Sequence, residues 1–440
     1  MVKGLAKEQK VRLYLGGLKN VEQLMKGDVL MGDDGNPRTI SAVHSSMSKT
    51  YTITYSSYLD VKDDRSFVCG DDAVLILIPD GNREVNRIIN TGADNQYVVE
   101  FVEPVTDAMK SISGVKLQWK VFAQADDALS YVDRSLPNFL YESKLSDFIK
   151  LEPKLQRMFK LVRPLLPIRF VDAVTVIQDE TKTDVDILKN MDIRPTDLPW
   201  LCGLYLITGI CIDERSFRFH LKELNSNIAG EVKRIFRCLN SYYEIQFDEA
   251  SENYTIRFQG ASETNDFFKR FMIQFGMYDA RTKRYVKDSL NPQVYLESFS
   301  RIRGPFLAGI LDGSSGYGLS DINHGLECYI RGISSTATRE VVADLARSCS
   351  LSAVVDQSDN NTLILAGGML FRVPCVSTIP KDFPGLVSLT SYPNPDGSSV
   401  LLGMPMPFSI KESGTRECYF LDIQEPNKRC LLSDYTVVHL

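Results

Sequence analysis

The side chains best suited to chemistry in this sequence are cations set at alternating positions in short strand-like runs. In SFRFHL (Ser216–Leu221), Ser216, Arg218 and His220 share one face of a strand, and Phe217, Phe219 and Leu221 share the other. Arg257 in YTIRF and Arg331 in CYIRGI repeat the pattern. Such cations can meet phosphate oxygens and base edges of a nucleic acid, or simply face water, and spacing alone leaves both readings open. Further basic clusters, Lys233/Arg234/Arg237, Arg281/Lys283/Arg284 and Arg157/Lys160/Arg163, suit backbone contacts or a solvated surface equally. Metal chemistry through sulfur and imidazole is not expected. The nine cysteines are scattered without a CxxC, and only four histidines are present.

The elements that must hold these residues can be read from periodicity and turn signals. Tyr51–Tyr55, Ala73–Ile78 and Gln96–Val102 are β-branched or aromatic runs, punctuated by GDDGNP and PDGN turns. The stretch around 125–165 reads as helical and basic (KLQRMFKLVRPLLPIR). The end reverts to strands, in Glu417–Gln424 and Cys430–Leu440. The middle contains an internal repeat. Each copy starts with an apolar helix ending in glycine, LPWLCGLYLITG (Leu198–Gly209) and GPFLAGILDG (Gly304–Gly313). A strand follows, then an amphipathic helix with its stripe at Val232, Ile235, Phe236 and Leu239, or at Val342, Leu345, Ala346 and Cys349. Two more strands and a further helical stretch complete each copy. The chain of 440 residues is long enough for two or three domains, and its net charge of −6 does not advertise a nucleic-acid binder. No apolar run reaches membrane-spanning length and no secretory signal is evident, so a reducing compartment, nucleus or cytoplasm, is expected.

LAGILDG resembles the LAGLIDADG motif of homing endonucleases, and LCGLYLITG resembles a degenerate first copy. Gly4–Ile40, Ser66–Leu77 and Cys430–Leu440 resemble successive blocks of the Hint fold, in the order found in the fungal vacuolar-ATPase intein and the yeast mating-type switching endonuclease. The resemblance implies an α+β multidomain chain. An all-β Hint domain (1–190 plus 405–440, with an inserted DNA-recognition region at about 80–165) is interrupted by a pseudo-two-fold endonuclease domain (191–404, αββαββα repeated). It also implies that the two motif helices pack face to face through Cys202/Gly203 and Ala308/Gly309.

The same resemblance shows where the chemistry departs. Splicing needs a Cys or Ser nucleophile, a Thr-His helper pair and a terminal His-Asn; the matching positions hold Gly4, Asp72 and Ala73, and His439-Leu440. Cleavage needs a carboxylate from each motif helix to hold the cations; the matching positions hold Thr208 and Ser314, or Ser315 in a register shifted by one. Asp312 is the candidate substitute metal ligand, with Asp213 and Glu214 behind it. Lys381 is the candidate second-half lysine, while Ser289 falls on the first lysine position with Lys287 nearby. The expectation is a catalytically degenerate, monomeric relative without extein that binds double-stranded DNA through Arg218, His220, Arg257, Arg331, Lys233, Arg234, Lys283 and Arg284. No cofactor is assigned to it. The alternatives are an active endonuclease using Mg²⁺ through substitute ligands, and an eroding element with no cellular role.

Overall fold

The structure is a computed structural model. It describes residues 4–55, 65–79, 88–91, 94–106, 112–136, 139–166, 192–220, 226–248, 253–261, 266–292, 302–314, 317–319, 326–356, 362–367, 370, 373–376, 390–393 and 399–439. The chain divides into two compact units, one of Met1–Ser57, Lys62–Pro164 and Leu389–Leu440, the other of Tyr58–Val61 and Leu165–Ser388. Among the described residues strand outweighs helix.

The first unit is built on two sheets. In one, the strand order is Phe408–Ile423, Leu5–Ala6, Arg65–Gly70, Pro37–Tyr55, Val29–Met31, and the two longest members also pair with each other as an extended antiparallel ribbon. The other sheet runs Thr390–Pro393, Ser399–Met406, Phe159–Pro164, Val74–Pro79, Val437–His439, Arg429–Leu431, with Tyr141–Lys144 also on Val74–Pro79. Between them lies a core including Leu30, Ile53, Leu77, Phe148, Phe159 and Cys430. A three-stranded sheet (Ile88–Thr91, Asp94–Thr106, Ile112–Phe122) carries the helix Ala125–Ser135, whose Ala128 and Val132 bury Val99.

One helical expectation is corrected here. Within KLQRMFKLVRP only Pro153–Arg157 is helical, and Phe159–Pro164 is a central strand. Pairing on both edges, with Val74–Pro79 and Ser399–Met406, outweighs the helix-like spacing of its apolar residues. Arg163 therefore lies on no basic helix face. It is buried and meets Asp434 at 3.2 Å.

The second unit shows the repeat as topology. The helix Asp197–Thr208 leads to strands Gly209–Cys211 and Ser216–His220, the helix Ser226–Cys238, strands Tyr243–Asp248 and Asn253–Phe258, and the helix Phe267–Gln274. The second copy runs from the helix Gly304–Gly313 through Tyr317–Leu319, Leu326–Ile330, the helix Thr336–Ser348, Ser352–Val355 and Leu363–Ala366. Each four-stranded sheet places its strands in the order first, second, fourth, third. A short strand directly after each motif helix is added to the single strand read from periodicity. The expected closing helix of the second copy lies outside the described residues. Both amphipathic stripes are fully buried.

Candidate functional site: the motif-helix seam and the first sheet

The two apolar helices meet through glycine because nothing larger fits. A Cβ on Gly203 would lie 2.0 Å from the Phe306 carbonyl oxygen, and one on Gly309 would lie 2.0 Å from that of Trp200. Their neighbours Cys202 and Ala308 are wholly buried. The seam fixes where the two helix C-termini emerge, and with them the residues at the positions where a metal centre would stand.

At those ends the side chains turn back into the protein. Thr208 Oγ1 donates to Leu204 O at 3.0 Å, and the buried Ser314 Oγ donates to Leu311 O at 3.0 Å. Asp312 is buried, and its Oδ2 accepts from the Trp200 indole and from the Val376 backbone N–H, both at 2.8 Å. Asp213 closes a local turn by accepting from Arg215 N, and Glu214 pairs with Lys283 at 3.4 Å. Among the described residues no three His, Cys, Asp or Glu side chains converge in a way that could hold an ion. Two hydroxyls bonded to their own helices and a carboxylate filled by two donors do not make the oxygen cage that Mg²⁺ requires. Ser315, Lys381 and Leu440 lie outside the described residues.

Lys287 comes to this centre from a distant part of the chain. Its Nζ donates to Ile207 O at 3.0 Å, at the end of the first motif helix, and lies 5.9 Å from the centre of the Tyr205 ring. The register itself points to Ser289, two residues along from Lys287, and the Ser289 Oγ instead donates to Gly276 O. A lysine on a terminal helix carbonyl satisfies an orphan acceptor and complements the helix dipole. Burial pushes its ammonium down to about 8. The unfolded chain then holds more protons than the folded one between about pH 8 and 10.5, so stability rises with pH across that window. Lys287→Met should flatten the rise in thermal midpoint measured across it. A variant whose midpoint climbs as the parent's does would place the ammonium in water.

The cations expected to touch nucleic acid do not share one surface. Strand register puts Arg218, His220 and Arg257 together on the outer face of the first sheet, with Thr255, Gln246 and Glu244. Arg218 Nε is held by Thr255 Oγ1 at 3.3 Å, and the His220 ring nitrogen Nδ1 lies 2.8 Å from Asn253 Oδ1. The opposite face buries Phe217, Phe219, Tyr254 and Ile256. Lys233 belongs to that opposite side, over the stacked Phe247 and Tyr254 rings. Arg234 is engaged by the buried Asp197 at 2.6 Å and by Glu231 at 3.0 Å. Lys283 and Arg284 are exposed around the hairpin Tyr278–Asp279/Arg284–Tyr285, and Arg331 is exposed just past a strand of the second sheet.

The positions matched to splicing residues sit in the first unit. Gly4 is buried, its carbonyl accepts from Gly70 N, and a Cβ there would meet the Tyr419 carbonyl oxygen at 2.0 Å. Asp72 lies in a half-buried turn and Ala73 is buried beside it. His439 Nδ1 lies 3.4 Å from Glu142 Oε2, and Arg429 reaches the same carboxylate at 2.6 Å. Burial alone would raise the Glu142 carboxyl, but His439 and Arg429 outweigh it and hold it at about 2. The buried Asp33, Asp34 and Arg38 extend the network from Arg429. Sequence reading missed this network: Asp33, Asp34 and Arg38 are neighbours in the chain, but only the closing of the fold brings Arg429, Glu142 and His439 together with them.

With this geometry in hand, the comparisons define the class: the chain belongs to the Hom_end-associated Hint family, whose model it matches over residues 5–439. A search of curated proteins returns no match. Among solved structures, the chain is similar to the gp41-1 intein, at 19% identity over 16% of this chain and 51% of that one, with a TM-score of 0.14. A variant of that intein gives 19% identity over 17% and 52%, also at 0.14. A structure of I-DmoI in complex with its target DNA and in the presence of Mn gives 13% identity over 43% and 98%, with a TM-score of 0.26. The chain spans about half the length of the inteins it matches.

Proposed function

We propose that this protein is a catalytically degenerate, intein-derived member of the family, in which a Hint-like unit is interrupted by a LAGLIDADG-type unit, and that it binds double-stranded DNA without splicing and without cleaving it. The order of sequence blocks supports the closer kinship to the fungal vacuolar-ATPase intein and the yeast mating-type switching endonuclease. The observation that carries the reading is the state of the two motif-helix ends. Thr208 and Ser314 stand at the acidic positions, each bonded to its own helix, and Asp312 is filled by Trp200 and Val376. Hydrolysis of a phosphodiester needs charge there to draw cations together, and neutral hydroxyls supply none. DNA binding needs only cations and polar groups on an accessible face, which Arg218, His220 and Arg257 provide. The protein acts as a monomer, in the nucleus or cytoplasm.

The test is incubation of the purified chain with a library of duplex sites in Mg²⁺ or Mn²⁺. DNA retention that weakens steeply with salt, with no cuts, is the expected result. Site-specific double-strand cuts that disappear in a folded Asp312→Asn variant would overturn the reading in favour of an active nuclease with a substitute ligand.

A further inference from the structure

The two sheets share a strand order but not a surface. On the first, the outer face carries Arg218, Arg257 and His220 beside Gln246, Thr255 and Glu244. Arg257, His220 and Gln246 are exposed, and Glu244 accepts from Gln246 and Gln259. Donors and acceptors are therefore interleaved across three strands. Reading a base edge needs that mixture, whereas a purely cationic face would bind phosphates without regard to sequence.

On the second sheet both faces are largely closed, including the one that matches the first sheet's outer face by register, where Glu327 stands in the place of Arg218. Cys328, Leu365 and Ala353 pair across the strands on one face, and Ile330 and Leu363 join them. All five are buried to 1% exposure or less. The other face holds Glu327, Tyr329, Ser352, Val354, Ile364 and Ala366. There Val354, Ile364 and Ala366 form a buried cluster of their own with Tyr329 packed against it. Glu327 is buried too, and accepts from the Tyr329 hydroxyl at 2.8 Å. Among the described residues this face carries no cation. Arg331 is exposed beyond the strand end, outside the paired rows of the sheet.

We propose that sequence readout on DNA belongs to the first sheet alone, so that a pseudo-two-fold scaffold recognises a single half-site. This rests on the DNA-binding reading above. Strands of six residues at about 3.3 Å each span roughly 20 Å, enough for about six base pairs at ~3.4 Å per step. Arg218 and Arg257 are the specificity-determining residues, and the second half contributes at most backbone contacts.

The experiment is selection from a randomised duplex pool by the full-length chain, followed by affinity measurements on the selected site and on shuffled competitors. One contiguous preferred block is expected. Arg218→Ala and Arg257→Ala should each relax the preference by roughly 5- to 100-fold at one or two positions. Tyr329→Phe, on the closed face, should leave the preference unchanged. Two preferred blocks related by a dyad would overturn the proposal, as would retention without preference, or a preference indifferent to both arginines. No retention of any duplex would defeat the DNA-binding reading itself, and the half-site with it.

Discussion

Gly309→Ala is expected to destabilise the second unit by about 3 kcal/mol or more, the upper end of what overpacking costs. The added methyl would lie 2.0 Å from Trp200 O and 2.6 Å from Leu204 N. Both are backbone atoms of the facing helix, so no rotamer change relieves the clash and the helices must part. Parting them loosens every contact in a seam where Leu204, Leu307, Ala308 and Ile310 are wholly buried. The same substitution elsewhere should have the opposite sign. Gly230 lies inside the helix Ser226–Cys238, exposed, with nothing within 4 Å of its added Cβ. Gly230→Ala should therefore stabilise by about 1 kcal/mol, the helix-propensity difference. Urea unfolding followed by tryptophan emission distinguishes the two. With Trp119 changed to Phe, the signal comes from the buried Trp200 on the seam itself. Equal midpoints for Gly309→Ala and the parent would show that the helices do not approach as described.

Restoring the splicing residues is expected to yield no splicing. Gly4→Cys supplies a nucleophile, but its Cβ would occupy the space of the Tyr419 carbonyl, with Phe420 Cα only 3.1 Å away. Leu5 pairs with Tyr419 on one side and with Cys69 on the other, so the strand cannot shift without unzipping two ladders. The substitution should cost about 2–3 kcal/mol, the usual penalty for forcing atoms into a packed site. Adding Asp72→Thr, Ala73→His and Leu440→Asn completes the set of side chains but not the space for the first of them. His439 in turn is engaged with Glu142, which Arg429 holds ionised. Expression between two folded reporter domains, read by gel, is the measurement. A ligated reporter band from the fourfold variant would refute the closed-site argument.

The parts of the fold written in local pattern were legible in the sequence. Glycine-ended apolar runs marked the motif helices, i, i+3, i+4, i+7 spacing marked the buried helix stripes, and alternation in SFRFH separated Arg218 and His220 from Phe217 and Phe219. The burial of the second sheet on both faces was not read, though it had a usable signal. SAVV and LILA are continuous apolar runs, unlike the alternating YTIRF, and continuous runs accompany burial on both faces. Other features had none. Lys287 reaches Ile207 across 80 positions and Trp200 reaches Asp312 across 112, and no window on the sequence spans either. Phe159–Pro164 reads as helix because its apolar spacing fits one, and only its two neighbouring strands decide otherwise.

The long ribbon of the first unit has a consequence for how the protein is made. Pro37–Tyr55 has nearby partners at its two ends, in Val29–Met31 and Arg65–Gly70, but among the described residues its middle, from Ala42 to Lys49, pairs only with Phe408–Ile423, and a contact such as Thr50 to Ser413 closes a loop of 363 residues. At roughly 5–20 residues per second, a ribosome takes about 20–70 s to deliver the second strand after the first. During that interval the nascent amino-terminal sheet has an unpaired edge, while the second unit, contiguous apart from Tyr58–Val61, can complete itself. The amino-terminal unit is thus begun first and completed last, and chaperone demand should concentrate on its open strand edge.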